Sequence, residues 1–139
     1  LYLVKKNGGP VAAQTLKEEA LAWQWTLWAA TGFERPLMQW AFNAFILDPD
    51  ERNPEVAAKA EAELPPLFRV LEAQLGKTPY LAGDRFTVAD LNVGCVMLRA
   101  HRHLDLANFP KLKAWDKAVF ARPAARRAWA IRVEAAARL

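Results

Sequence analysis

Cysteine is all but absent from this chain of 139 residues. Cys95 is its single example, so no internal disulfide can form and no metal site built from several thiolates is available. Histidine is nearly as scarce. His101 and His103 are the only two, and a spacing of two puts them on different sides of a helix, where they cannot form a two-ligand metal face. Long apolar runs are missing too. Nothing approaches the roughly 18 uncharged apolar residues that a membrane span requires, and the first residues lack a basic segment followed by an apolar run and cleavage site. A cytoplasmic protein with no metal and no membrane partner is therefore expected. Gly-rich phosphate loops, a Ser-His-Asp set and a zinc-protease helix motif are likewise lacking, and no segment alternates as a strand would. Cys95 sits amid apolar neighbours that raise a thiol pKa, so it is read as inert. The paired acids Glu18-Glu19 and Asp50-Glu51 fall at a helix start and in a turn, where solvation accounts for them. No catalytic residue is expected in this chain.

What is present describes an ordinary globular domain. Apolar residues make up 53% and charged residues 24%, which excludes disorder and fibrous repeats as first readings, and the length suits one core. The net charge of +4 gathers near the C-terminus, in Arg122, Arg126, Arg127, Arg132 and Arg138. These alternate with Ala and Trp, and no nucleic-acid motif accompanies them, so they read as a solvated helix face and no nucleic-acid partner is expected.

Helix signals follow one another along the chain. Leu1 to Lys6, ended by Gly8-Gly9-Pro10, resembles the last turn of a helix severed from something before it, and the chain is expected to be truncated there. Thr15 with Glu18 fits a capping box opening a helix from Leu16 to about Leu47, with a soft point at Thr31-Gly32 and a bend at Pro36. Asp48-Pro49-Asp50 is turn chemistry. Asn53 then caps a helix beginning with Pro54 and closed by Gly76, in which Pro65-Pro66 should introduce a kink or a break.

The densest signal is Phe86-Thr87-Val88-Ala89-Asp90-Leu91. Thr87 caps a helix, Asp90 reaches back from three residues on, and Phe86 is placed to staple onto Leu91. From Val88 to Leu98 the sequence is apolar nearly all round, which predicts a central buried helix. Asp90 is read as structural, and its replacement by Ala should cost about 1 kcal/mol from the cap alone, more with deep burial. Pro110 and Pro123 open two further helices, the last running through Trp129 and Ile131.

The run from Tyr80 to Leu91 closely resembles the loop and capped central helix of the glutathione transferase C-terminal domain, and the later segments Phe109-Pro110-Lys111-Leu112, Trp115 and Ala121-Arg122-Pro123-Ala124 also match its spacing. The Trp-rich first helix is most similar to bacterial members of theta-like or beta-like type. The resemblance implies an all-α fold: a bundle of five to six helices around a central buried helix. It implies that residues 1–9 are the remnant of the last helix of a missing thioredoxin-like domain, 10–14 a linker and 15–139 the helical domain. The missing half would bind glutathione as co-substrate and activate its thiol. The helical half would line the pocket for a small hydrophobic electrophile and supply much of a homodimer interface. The isolated fragment should be inactive. Domains of this shape also serve as noncatalytic assembly modules on translation factors and tRNA synthetases, and that alternative stays open.

Trp28, Thr31, Arg35, Met38 and Phe42 recur at intervals of three or four, forming one stripe that the resemblance turns toward the domain cleft. Arg35 would attract a carboxylate of glutathione or of an anionic substrate. Arg99 and His103, four apart, would lie near the pocket mouth. The competing reading is core packing for Trp28 and Phe42, a surface ion pair for Arg35, and a solvated helix end for Arg99 and His103. Trp23, Trp25 and Trp40 are assigned to core or interface rather than to the site.

Overall fold

The computed structural model describes residues 1–136, so Arg138 lies outside the described residues. Seven α-helices account for most of the chain: α1 (Tyr2–Asn7), α2 (Leu16–Trp28), α3 (Glu34–Ala41), α4 (Pro54–Leu75), α5 (Val88–Met97), α6 (Pro110–Ala121) and α7 (Pro123–Ala136). Five-residue π turns, Ala29–Phe33 and Phe42–Ile46, join α2 to α3 and extend α3. The stretch from residue 16 to 46 is thus one continuous helical rod, and counted that way the bundle has six members. Among the described residues the only extended pairing is an isolated bridge between Tyr80 and Gly83. Gly83 closes that tight turn at φ 145, a backbone angle that L side chains rarely adopt.

α3 packs on α4, α2 on α5, and α6 bridges α4, α5 and α7. Phe33, Leu37, Leu71, Leu81, Val93, Met97 and Leu112 are fully enclosed where these helices meet. α5 is the central element, but it is not buried all round: Leu91 is 40% exposed and Cys95, one turn on, is exposed as well. The apolar edge they form leaves the bundle, while Val88, Ala89, Val93, Gly94 and Met97 face inward. Gly94 is where α6 comes closest, since a Cβ there would meet Val119 Cγ1 at 3.0 Å.

The N-terminus of α5 holds the fold's main polar junction. Thr87 accepts from the Ala89 amide, and the reciprocal half of the capping box is complete, with Thr87 N–H donating to Asp90 Oδ2 at 2.9 Å. Asp90 does more than cap. Its Oδ1 accepts from the Leu81 amide at 2.9 Å and from Trp115 Nε1 at 2.8 Å, so one carboxylate ties the preceding loop, the cap and α6 together. Both Thr87 and Asp90 are buried, at 1% and 0% exposure, and with several donors directed at it the charge is tolerated there. The Phe86 ring meets Tyr80 edge-on and lies beneath the Arg122 guanidinium, 3.8 Å away, and Leu91 is 40% exposed.

The expected break at Pro65-Pro66 does not occur: α4 is a single helix through both prolines, because the carbonyls they leave without a donor belong to Glu61 and Ala62, both on exposed positions where water can reach them. In the long rod the first irregularity contains the expected soft point, Thr31-Gly32, just ahead of Pro36. The Glu34 amide bonds back to Ala29 O, five residues away, and this wider turn contains Gly32, whose carbonyl the Pro36 ring would otherwise crowd.

Two caps come from distant side chains. Phe109 offers no side-chain cap to α6, and Glu72 of α4 supplies one instead, its two oxygens accepting from the Lys111 and Leu112 amides at 3.0 and 2.8 Å. Arg52 closes the other end of the rod, donating to the carbonyls of Leu47, Phe45 and Ala44. Asp90→Ala should lower the unfolding free energy by about 3 kcal/mol or more in urea denaturation, since it strands the buried donors of Leu81, Thr87 and Trp115 in addition to the cap; a loss near 1 kcal/mol would mean the carboxylate acts as a cap alone.

Candidate functional site

The stripe expected on the long rod is interrupted by the first π turn. Five residues separate Trp28 and Phe33, which in an α-helix would set them well apart around the axis; the wider turn stacks them instead, with centroids 5.1 Å apart and planes at 23°. Trp28 also meets Trp25 edge-on at 5.4 Å and is half-buried, so its ring joins the core to the surface. Thr31 and Arg35 are exposed, and Met38 and Phe42 are half-buried. Thr31 lies within the first π turn, its hydroxyl donating to Leu27 O, and Phe42 opens the second. Such turns insert one residue and re-aim the side chains around it, which is why they recur at binding sites.

Arg99 and His103 follow α5 and are both exposed. His103 stacks on Phe45 with centroids 3.9 Å apart, and Phe45 in turn meets Trp40 edge-on. The segment after α5 is thereby brought alongside Phe45 of the second π turn.

Two cavities lie elsewhere. The larger, about 700 Å³, opens between α1 and α2 and is walled by Leu1, Tyr2, Val4, Ala22, Trp23 and Val88, with Lys5, Lys6 and Glu19 among its polar groups. A second, about 480 Å³, lies between residues 75–80 and α6, with Tyr80, Trp115, Lys77 and Lys111 in its wall. Neither is lined by Trp28, Thr31, Arg35, Met38, Phe42, Arg99 or His103. Trp23, assigned above to core or interface, is 52% exposed at the larger cavity, whereas Trp25 and Trp40 are buried as expected.

Ala12, in the wall of the larger cavity, is held by Arg85. Its guanidinium donates to the carbonyls of Pro10 at 3.0 Å and Ala12 at 2.6 Å, and forks onto Glu18 at 3.2 and 2.6 Å. Val88 N–H adds a bond to Val11 O. Residues 10–14 are therefore fastened to the loop before α5 rather than hanging free. Thr15 does cap α2 through the Glu18 amide, at 3.1 Å. The Glu18 carboxylate, however, accepts from Gln14 N–H at 2.6 Å as well as from Arg85, so its role extends beyond a local capping box. The Arg85 hydrogen bond, then that of the Gln14 amide, holds the Glu18 carboxyl below its ordinary value. Cys95 is exposed at the edge of α5, yet partial desolvation by its apolar surroundings still pushes its thiol pKa up. Among the described residues no group of three or more His, Cys, Asp or Glu side chains is placed to hold a metal ion, and no helix is long and apolar enough to cross a membrane.

Residues 33–123 match the family described as "Glutathione S-transferase, C-terminal domain". The chain belongs to that family. Disulfide-bond oxidoreductase YfcG of Escherichia coli is 29% identical over 127 residues, covering 89% of this chain and 57% of the relative. Probable glutathione S-transferase GSTF2 of Oryza sativa subsp. japonica is 31% identical over 136 residues, covering 91% and 62%. This chain therefore spans about three fifths of the length of those two proteins. Elongation factor 1-gamma of Artemia salina is 29% identical over 99 residues, covering 68% of this chain and 23% of that protein. Among solved structures, the glutathione transferase Ure2p5 of Phanerochaete chrysosporium superimposes with a TM-score of 0.83 at 25% identity, over 99% of this chain and 67% of that one, in a crystal grown with 1-(S-glutathionyl)-2,4-dinitrobenzene.

Within this glutathione S-transferase C-terminal domain, the Arg85–Glu18 pair, the Glu72 cap and the Trp115 bond to Asp90 had no signal in the sequence, because each joins residues 25 to 67 positions apart. The lowered Glu18 pKa fixes the sign of one pH effect. A carboxylate held below its ordinary value stabilises the fold above that value, and the contribution is lost as pH falls through the lower, folded one. Arg85→Gln should lower the thermal midpoint by about 5 °C at pH 7, and calorimetry should show the gap to the parent narrowing below pH 4.5; a gap independent of pH would mean that the carbonyl bonds to Pro10 and Ala12 account for the whole effect.

Proposed function

We propose that this chain is the acceptor-binding half of a glutathione transferase, of theta-like or beta-like kind. In this reading Trp28, Thr31, Arg35, Met38 and Phe42 form one wall for a small hydrophobic electrophile, with Arg99 and His103 at its mouth. Glutathione is the co-substrate, held and activated mainly by a thioredoxin-like half that packs over the α1–α2 cavity. The intact protein acts as a homodimer. The observation that supports the reading is the stacking of His103 on Phe45, which sets the segment after α5 beside the second π turn, opened by Phe42; in this reading the cationic, aromatic and soft apolar groups share one strip.

The chemistry follows from that strip. A flat electrophile rests on the half-buried apolar groups, and exposed Arg35 draws the carboxylate of glutathione or of an anionic acceptor. The thiolate attacks the electrophilic carbon and the leaving group departs with its electron pair; this half contributes orientation, not proton transfer. A second reading, a noncatalytic assembly module, is favoured by the similarity to elongation factor 1-gamma.

The test uses glutathione and 1-chloro-2,4-dinitrobenzene, followed by the absorbance of the thioether product. A protein joining this chain to a thioredoxin-like half should conjugate them, with Arg35→Ala raising KM for glutathione about tenfold at little cost in kcat, while residues 1–139 alone should show no turnover. Turnover by residues 1–139 alone would overturn the division of labour, and an inactive joined protein that still self-associates would favour the assembly module.

A further inference from the structure

The smaller cavity takes no part in the strip described above, and the charge of its wall differs from that of the larger one. In the α1–α2 cavity the Lys5 ammonium is paired with Glu19. In the cavity between residues 75–80 and α6 the charged groups are Lys77 and Lys111, and neither Asp nor Glu stands among the residues that line it. Both lysines are exposed, and neither ammonium has a hydrogen-bond or ion-pair partner among the described residues. Glu72, which approaches the start of α6, has its two oxygens engaged by the Lys111 and Leu112 amides and does not line the cavity. Two cations thus face one space, Lys77 from the loop after α4 and Lys111 from α6, with no anion of the protein to answer them.

The rest of the wall is flat and apolar. Lys111, Ala114, Trp115 and Ala118 recur at three and four and so share one face of α6, where the two alanines leave room above the helix. The single polar atom of the Trp115 side chain is spent on Asp90, so the indole offers this space only carbon. Tyr80 stands on the other side, its ring steadied edge-on by Phe86. The loop that carries Lys77 and Tyr80 is itself tied down: the Thr78 hydroxyl donates to Tyr80 O and accepts from Gln74, whose amide also donates to Leu81 O. The aromatic platform is therefore set in advance, while the two ammonium groups ride on flexible stems that can close on an occupant.

We propose that this cavity binds a small aromatic phosphate monoester, its ring resting between Tyr80 and the alanine face of α6 and its phosphate held between Lys77 and Lys111. The volume, about 480 Å³, lies within the range of small-molecule sites. A fixed aromatic ring opposite an apolar helix face selects a flat apolar body. Two unpaired cations select an anion, and their convergence from separate elements favours a group with nearly two negative charges and three acceptor oxygens over a carboxylate with one charge and two. Because none of Trp28, Thr31, Arg35, Met38, Phe42, Arg99 and His103 lines this cavity, the inference does not rest on the transferase reading.

The experiment titrates phenyl phosphate into residues 1–139 and follows the amide resonances of Gly76 and Ala118 by nitrogen-15 NMR. Both should shift saturably, with an affinity several-fold above that for inorganic phosphate, which lacks the ring, and for benzoate, which lacks the second charge. Lys77→Ala and Lys111→Ala should each weaken binding about fivefold, and Lys113→Ala, which removes an exposed cation of α6 outside the cavity, should leave it unchanged. Lowering the pH from 7.5 to 5, which protonates the monoester to a monoanion, should weaken binding several-fold. The lysines are exposed, so the variants keep the fold, and an otherwise unchanged amide spectrum checks this. Shifts that do not saturate, equal affinity for benzoate or inorganic phosphate, or a loss in Lys113→Ala as large as in the two lining variants would each overturn the proposal.

Discussion

One buried carboxylate sets the geometry of this domain. Asp90 has no access to solvent, so its charge is acceptable only while the amides of Leu81 and Thr87 and the Trp115 indole all donate to it. Each donor comes from a different piece of chain: the turn before α5, the cap of α5 and the body of α6. Satisfying the charge therefore fixes three elements relative to one another, a degree of order that apolar packing alone would specify less sharply. The apolar residues of α5 then fill the space that this junction defines, and Gly94 allows α6 to approach closely enough for the indole to reach the carboxylate.

Much of this arrangement was legible in the sequence because it is local. The Thr87–Asp90 cap is a four-residue signal, and the same holds for Asn53 with Pro54 and for Thr15 with its partner amide. What stayed hidden depends on groups that meet only after folding. Glu72 reads as one more exposed acid until α6 arrives at its carboxylate, and Arg85 as one more surface cation until the Pro10 and Ala12 carbonyls close around it. Of the π turns the sequence offered only the soft point at Thr31-Gly32: a repeat of three and four continues through them, and only the i to i+5 bond shows that a residue has been added. Apolar composition also misled on one point, since Leu91 and Cys95 are apolar yet sit on the edge of α5 that leaves the bundle.

The candidate site was legible to a lesser degree than the fold. Thr31, Arg35, Arg99 and His103 are accessible, which a ligand contact requires, and Met38 and Phe42 are half-buried behind them. Trp28 divides its surface between Phe33, Trp25 and the outside, so either reading of that residue uses the same ring. The stacking of His103 on Phe45 links two regions that are far apart in the chain, and no periodicity within either region foretells it.

The Arg85 clasp has a mechanical consequence. Because a single guanidinium grips Pro10, Ala12 and Glu18, tension applied to the chain ahead of residue 10 does not simply peel α1 away. The load passes through the clasp into the loop that carries Thr87 and so arrives at the middle of the bundle. A tether attached at that end would pull against the junction around Asp90 and not against α1 alone.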